Sequence, residues 1–173
     1  MTVIHYEHPQ APDPVNPTDL VTKEYVDVKP LVLLQSPTAP ASVQNATTQM
    51  TGWTAIFSRG AGGWGAPNAN AYTIGTAGFY NVGLSVYWGL STAFTTDQGF
   101  HALIYRNGAE VGRGSLYVVT LTVGAGCACS CHKIIACNAN DTITFYAAAG
   151  PAISSINTGA NGTFAEIAFL QPL

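Results

Sequence analysis

Cys127, Cys129, Cys131, His132 and Cys137 crowd into residues 127–137. Thiols and an imidazole at such spacing could ligate a metal, pair as disulfides or supply a nucleophile. The intervals argue otherwise. All four cysteines have odd numbers, so an unbroken strand sets them on one face together with Ile135, and neighbours two apart along a strand do not reach disulfide geometry. Neither a Cys-x-x-Cys pair nor a zinc-finger interval occurs. The reading adopted is four small buried hydrophobes, with a disulfide or a metal role as the alternatives. His132 has the opposite parity and points with Ser130, Ile134 and Ala136 to the other face, where it reads as a contact histidine, with copies gathered around an ion as the alternative. His5 and His8, three residues apart near the start, read as contacts in the same way.

The motifs of enzymes are missing. No Gly-x-Ser-x-Gly, phosphate-binding Gly-x-x-x-x-Gly-Lys, His-Glu-x-x-His or paired-carboxylate pattern occurs. The glycine-rich run at 60–65 lacks the spacing of a dinucleotide fingerprint and precedes no helix, so it is expected to be a loop. The expectation is a protein that is not an enzyme and uses neither a metal nor a cofactor.

The elements that must position these residues are strands. A short apolar run at 31–35 is a first strand, and 36–41 is a connector rich in Pro, Ala and Ser. From residue 52 onward the pattern is all β, with candidate strands at 53–58, 71–74, 78–89, 99–106, 110–119, 127–137, 142–148 and 163–170. Turn signals separate them, Asn107-Gly108 being the sharpest. About eight strands at this spacing suggest a sandwich or jelly roll. In 78–89 one parity gives Tyr80, Val82, Leu84, Val86 and Trp88, which reads as core. The other gives Phe79, Asn81, Gly83, Ser85 and Tyr87, which suits a protein neighbour, although a solvated face is the alternative.

Charge is distributed unevenly. Residues 1–30 hold Glu7, Asp13, Asp19, Lys23, Glu24, Asp27 and Lys29, whereas the rest of the 173-residue chain carries only Arg59, Asp97, Arg106, Glu110, Arg113, Lys133, Asp141 and Glu166. A globular protein usually has about 25% charged residues, so the body has little ionic surface to keep it apart from other proteins. Part of it is expected to be a self-association surface. No basic stripe exists to neutralise phosphates, so nucleic acid is not an expected partner. No run of 18 apolar residues and no signal-peptide pattern occurs, so export by that route and membrane insertion are not expected.

Four segments carry a family resemblance. Ala71-Tyr72-Thr73-Ile74-Gly75-Thr76-Ala77-Gly78-Phe79-Tyr80-Asn81-Val82-Gly83-Leu84-Ser85-Val86 resembles the approach, tight turn and long central strand of the complement/tumour-necrosis-factor jelly roll. Ile104-Tyr105-Arg106-Asn107-Gly108-Ala109-Glu110-Val111 is similar to its hairpin. Cys137-Asn138-Ala139-Asn140-Asp141-Thr142-Ile143 stands where that family carries Leu-x-x-Gly-Asp-x-Val, and Thr163–Leu170 resembles its last strand. Asn140 replaces a glycine, Ala165 replaces another, and Glu166 sits where an apolar residue is usual. The resemblance spans about residues 52–173 and implies an all-β jelly-roll sandwich that assembles as a homotrimer. On that implication Phe79, Asn81, Tyr87, His132, Ile134, Ile167 and Phe169 would face the sibling subunits.

The N-terminal region reads differently. Pro9, Pro12, Pro14 and Pro17 impose an extended arm on residues 1–17. Pro17 and Thr18 or Asp19 can then open a helix of about two turns. Alone it would be marginal, so it needs a neighbour. Asn16-Pro17-Thr18-Asp19-Leu20-Val21-Thr22-Lys23-Glu24-Tyr25-Val26-Asp27 resembles a linker of bacteriophage tail-fibre and head-fibre proteins; a plain surface helix is the alternative. The division expected is an anchoring arm and helix at 1–30, a strand and connector at 31–51, and a jelly roll at 52–173. The resemblance implies a virion protein on the capsid surface, a homotrimeric head-fibre or decoration protein. Its arm would be held by the major capsid protein or another virion protein through Ile4, Tyr6, His8, Pro9, Pro12, Pro14, Leu20 and Tyr25. The other reading is the tip or adaptor of a tail fibre, touching a host surface molecule through its loops.

Overall fold

The computed structural model describes residues 30–35, 37, 46–59, 62–64, 70–89, 98–120, 122, 125–150, 155–156 and 162–173. The arm, the short helix and the anchoring residues named above lie outside the described residues, as do His5 and most of the 36–41 connector. The described residues form twelve strands and no helix: β1 (Leu31–Gln35), β2 (Thr47–Gln49), β3 (Thr54–Arg59), β4 (Gly62–Trp64), β5 (Tyr72–Ile74), β6 (Gly78–Gly89), β7 (Gln98–Arg106), β8 (Ala109–Val118), β9 (Gly126–Cys137), β10 (Thr142–Ala149), β11 (Ser155–Ile156) and β12 (Phe164–Gln171). All pairings are antiparallel. One sheet runs β9-β6-β12-β1-β3, with β11 on the same edge of β6 as β12; the other runs β8-β7-β10-β5-β4, with β2 beside β10. This is the expected jelly-roll sandwich.

Alternation along β6 builds the core between the sheets. Tyr80, Val82, Leu84, Val86 and Trp88 are all fully buried, and they meet Ile74, Phe100, Ile104, Ile143 and Phe145 from the opposite layer. Trp88 and Phe100 lie edge to face at 5.5 Å, as do Trp53 and Phe145 at 5.4 Å. Burying a side chain of this size stabilises the fold by about 2–3 kcal/mol, and edge-to-face ring pairs add about 1 kcal/mol. At one side of the sandwich β8 closes against β9. Gly114 makes that approach possible, since a methyl group there would overlap the Ser130 carbonyl.

Two turns at one end explain details of the sequence. Asn107 and Gly108 both have positive φ, 51° and 80°, as a two-residue reversal between β7 and β8 requires. Asn140, standing where the resembled family has glycine, also has positive φ, 72°; asparagine tolerates this left-handed conformation better than other side chains, so the turn survives the replacement. Asp141 ties the two turns together, accepting hydrogen bonds from Asn107 Nδ2 at 2.7 Å and from the Asn138 amide at 2.8 Å.

Two details add to the expectations. The segment at 31–51 supplies the first strand, β1, and also β2, and both pair into the sheets. Part of the glycine run expected as a loop is β4, which pairs Gly62, Gly63 and Trp64 with Ile74, Thr73 and Tyr72. An edge strand needs only backbone pairing, and glycines carry no side-chain pattern to announce it.

Candidate interaction face

Register decides which side chains leave the core on the sheet formed by β9, β6, β12, β1 and β3. Asn81 stands opposite Ile134 on β9 and Ala168 on β12; Gly83 stands opposite His132 and Glu166; Ser85 stands opposite Ser130 and Phe164. Direct partners in an antiparallel pair point the same way. Phe79, Asn81, Tyr87, His132 and Ile134 therefore share the outer face. β1 extends this face, placing Leu31 beside Ala168 and Leu33 beside Glu166, and β3 places Phe57 beside Leu33.

Ile167 and Phe169 do not belong to it. Ile167 pairs with Val82 and is fully buried, and Phe169 pairs with Tyr80, whose ring it meets edge to face at 5.3 Å against the core. The outward set on β12 is Phe164, Glu166, Ala168 and Leu170. A shift of one residue exchanges the two faces of a strand. The hint was Glu166: its charge marks the parity that leaves the core, and Phe164 and Leu170 share it.

The outer face is apolar at its margins and polar at its centre. Ile134 is 62% exposed, Phe164 51%, Phe57 45% and Leu170 39%. Between them Glu166 Oε1 accepts a hydrogen bond from Asn81 Nδ2 at 3.1 Å and lies 3.7 Å from His132 Nδ1. Gly83 provides the space, because a Cβ there would come within 2.8 Å of the His132 ring and 2.9 Å of Glu166 Cγ. Next to this group Ser130 Oγ donates to Ser85 Oγ at 3.0 Å. Apolar side chains left in water around a satisfied polar centre suit contact between proteins.

The cysteines lie on the opposite side of β9. Cys129, Cys131 and Cys137 are buried, Cys127 is half-buried, and all four are free thiols. Burial pushes the thiols of Cys127 and Cys137 up to about 11, with smaller contributions from Cys129 and Asp141 respectively, and raises those of Cys129 and Cys131 as well. A thiol held protonated is a poor nucleophile and a poor ligand. Among the described residues no three His, Cys, Asp or Glu side chains converge as a metal site would require.

No protein-family model matches the chain, and no curated protein matches it by sequence. Solved structures do match in fold. The crystal structure of murine APRIL at pH 8.0 is 15% identical, with a TM-score of 0.58 and coverage of 82% of this chain and 99% of that one. The structure of Eiger TNF from S. frugiperda is 8% identical, with a TM-score of 0.60 and coverage of 84% and 94%. At such identities the likeness carries the fold alone: the body of this chain is a tumour-necrosis-factor-like jelly roll.

Proposed function

We propose that the chain is a non-catalytic structural protein that assembles as a homotrimer through the outer face of the sheet containing β6, β9 and β12. The observation that carries this reading is the gathering of Ile134, Phe164, Phe57 and Leu170 in solvent on one sheet face. The other support is the body's sparse charge, which leaves little to oppose association. The three-fold arrangement is taken from the family resemblance of residues 71–86, 104–111 and 137–143. In the assembly Glu166 would keep Asn81 and His132 as partners while water is excluded. That matters because an unpaired buried carboxylate costs several kcal/mol.

The finer reading is a phage virion protein that decorates the capsid surface or projects from it as a head fibre. Its support is the likeness of residues 16–27 to the fibre linker together with the proline-rich arm before it. Three arms on one trimer would bind a particle through effective concentration even if each arm were weak. Native mass measurement tests the trimer; occupancy of particles by a chain lacking residues 1–17 tests the anchor. Full occupancy without the arm would exclude it, and immunogold labelling distinguishes a head from a tail position.

A further inference from the structure

The second sheet carries a depression on its outer face that the assembly reading does not use. Three cross-strand rows build it. Thr47, Ala148, His101 and Ser115 lie in direct register across β2, β10, β7 and β8. In the next row Gly99 pairs with Tyr117, and the Gly150 amide donates to the Gly99 carbonyl at 3.0 Å. In the row on the other side Arg113 pairs with Leu103. Small residues in the middle and large ones around them leave a shallow, open cleft of about 370 Å³. Its floor depends on Gly99, where a Cβ would stand 3.0 Å from His101 Nε2 and 3.2 Å from the Tyr117 ring.

The walls have a particular chemistry. Tyr117 is 69% exposed, and its ring meets His101 edge to face at 5.9 Å. A large aromatic ring open to solvent is a platform for an apolar surface with polar edges. His101 Nδ1 is engaged with Ser115 Oγ at 2.8 Å, which leaves Nε2 directed over Gly99. Burial, and after it Arg113, lowers the imidazole below its ordinary value, so near neutral pH it offers one donor and one acceptor. Arg113 donates through Nε at 2.9 Å and through Nη2 at 2.7 Å to the two oxygens of Glu110. That bidentate pair cancels its own charge, and the remaining Nη can still donate.

The geometry points to a binding site for a neutral sugar residue, stacked on Tyr117 and hydrogen-bonded by His101, Arg113 and Thr47. An anionic ligand fits worse: the one full positive charge at the cleft is already paired with Glu110, and the imidazole is uncharged. A purely apolar ligand fits worse too, because the hydroxyl of Thr47 and the nitrogens of His101 and Arg113 would lose water without replacement. A pyranose has the two required surfaces, a C–H face for the ring and hydroxyls around its edge.

The test is an NMR titration of the full chain with the methyl glycosides of glucose, galactose, mannose and N-acetylglucosamine. Sialic acid and inorganic phosphate serve as anionic probes. Saturable shifts from at least one neutral glycoside, confined to Gly99, His101, Tyr117 and Ala148–Gly150, are expected. Tyr117→Ala should weaken binding by at least about tenfold, whereas Tyr117→Phe, which keeps the platform, should retain it. Ala148→Leu should block the cleft while every polar wall group remains, and thermal melts verify that each variant is folded. Silence with all four glycosides, a response to the anions alone, or undiminished binding by Tyr117→Ala would each overturn the assignment.

Discussion

His132 Nδ1 lies 3.7 Å from Glu166 Oε1 across Gly83, a position of β6 that has no side chain. Three strands thus contribute to a single polar centre, and the smallest residue governs its geometry.

Gly83→Ala should fold, because the groups in its way are side chains that can move. It should nevertheless separate His132 from Glu166 and weaken self-association by about tenfold. Sedimentation velocity over a dilution series measures this. Unchanged association would show that the polar centre does not contribute to the contact.

Asp141 should make the two linked turns sensitive to acid. Its carboxyl is held below the ordinary value of 3.8, first by the Asn107 side chain and then by the Asn138 amide. Because the folded-state pKa is depressed, the stabilisation is present above the unfolded-state value and is lost as pH falls through the folded one. Asp141→Ala should cost about 1 kcal/mol near neutral pH, a small figure because the group is largely solvated. The difference from the parent should shrink as pH is lowered below 3.8, which urea unfolding at neutral and at acid pH measures.

The cysteines have the opposite sign. Their folded-state values are raised, for Cys127 and Cys137 from 9.0 to about 11, so their contribution is complete below 9.0 and is lost as pH rises toward 11. A chromogenic disulfide reagent near neutral pH should label the native protein slowly, Cys127 first because it is half-buried, and all four thiols promptly after denaturation. Rapid labelling of the folded protein would contradict their placement.

At Asn140 the backbone sets the preference. With φ of 72°, Asn140→Ala should cost about 1 kcal/mol, whereas Asn140→Gly should be neutral or stabilising by up to about 1 kcal/mol. Denaturant midpoints of the two variants give the comparison.

Much of this architecture was legible in the residues. β6 announced its core side because large apolar residues, Tyr80, Val82, Leu84, Val86 and Trp88, recur at every second position, and from its odd positions the outer face followed. His132 and Ile134 lie on that outer face because β9 runs beside β6 in unbroken register. Ile167 and Phe169 do not: β12 carries large apolar residues on both parities, Glu166 is the one charge that marks the outward one, and pairing with β6 fixes the choice. The three-residue strands β2 and β4 and the two-residue β11 were not foreseen, being too short for an alternating pattern. The cleft was equally hidden, since Thr47, His101, Arg113 and Tyr117 come from separate strands and meet only through cross-strand register.

The central claim is that the outer face of the β6 sheet meets other copies of this chain. Native mass measurement of the full chain, supported by sedimentation at micromolar concentration, tests it most directly. The expected mass is three times that of the 18.1 kDa protomer, falling to a folded single copy in the double variant Ile134→Asp and Phe164→Asp. A parent protein that stays a stable single copy would contradict it, as would a trimer indifferent to both substitutions.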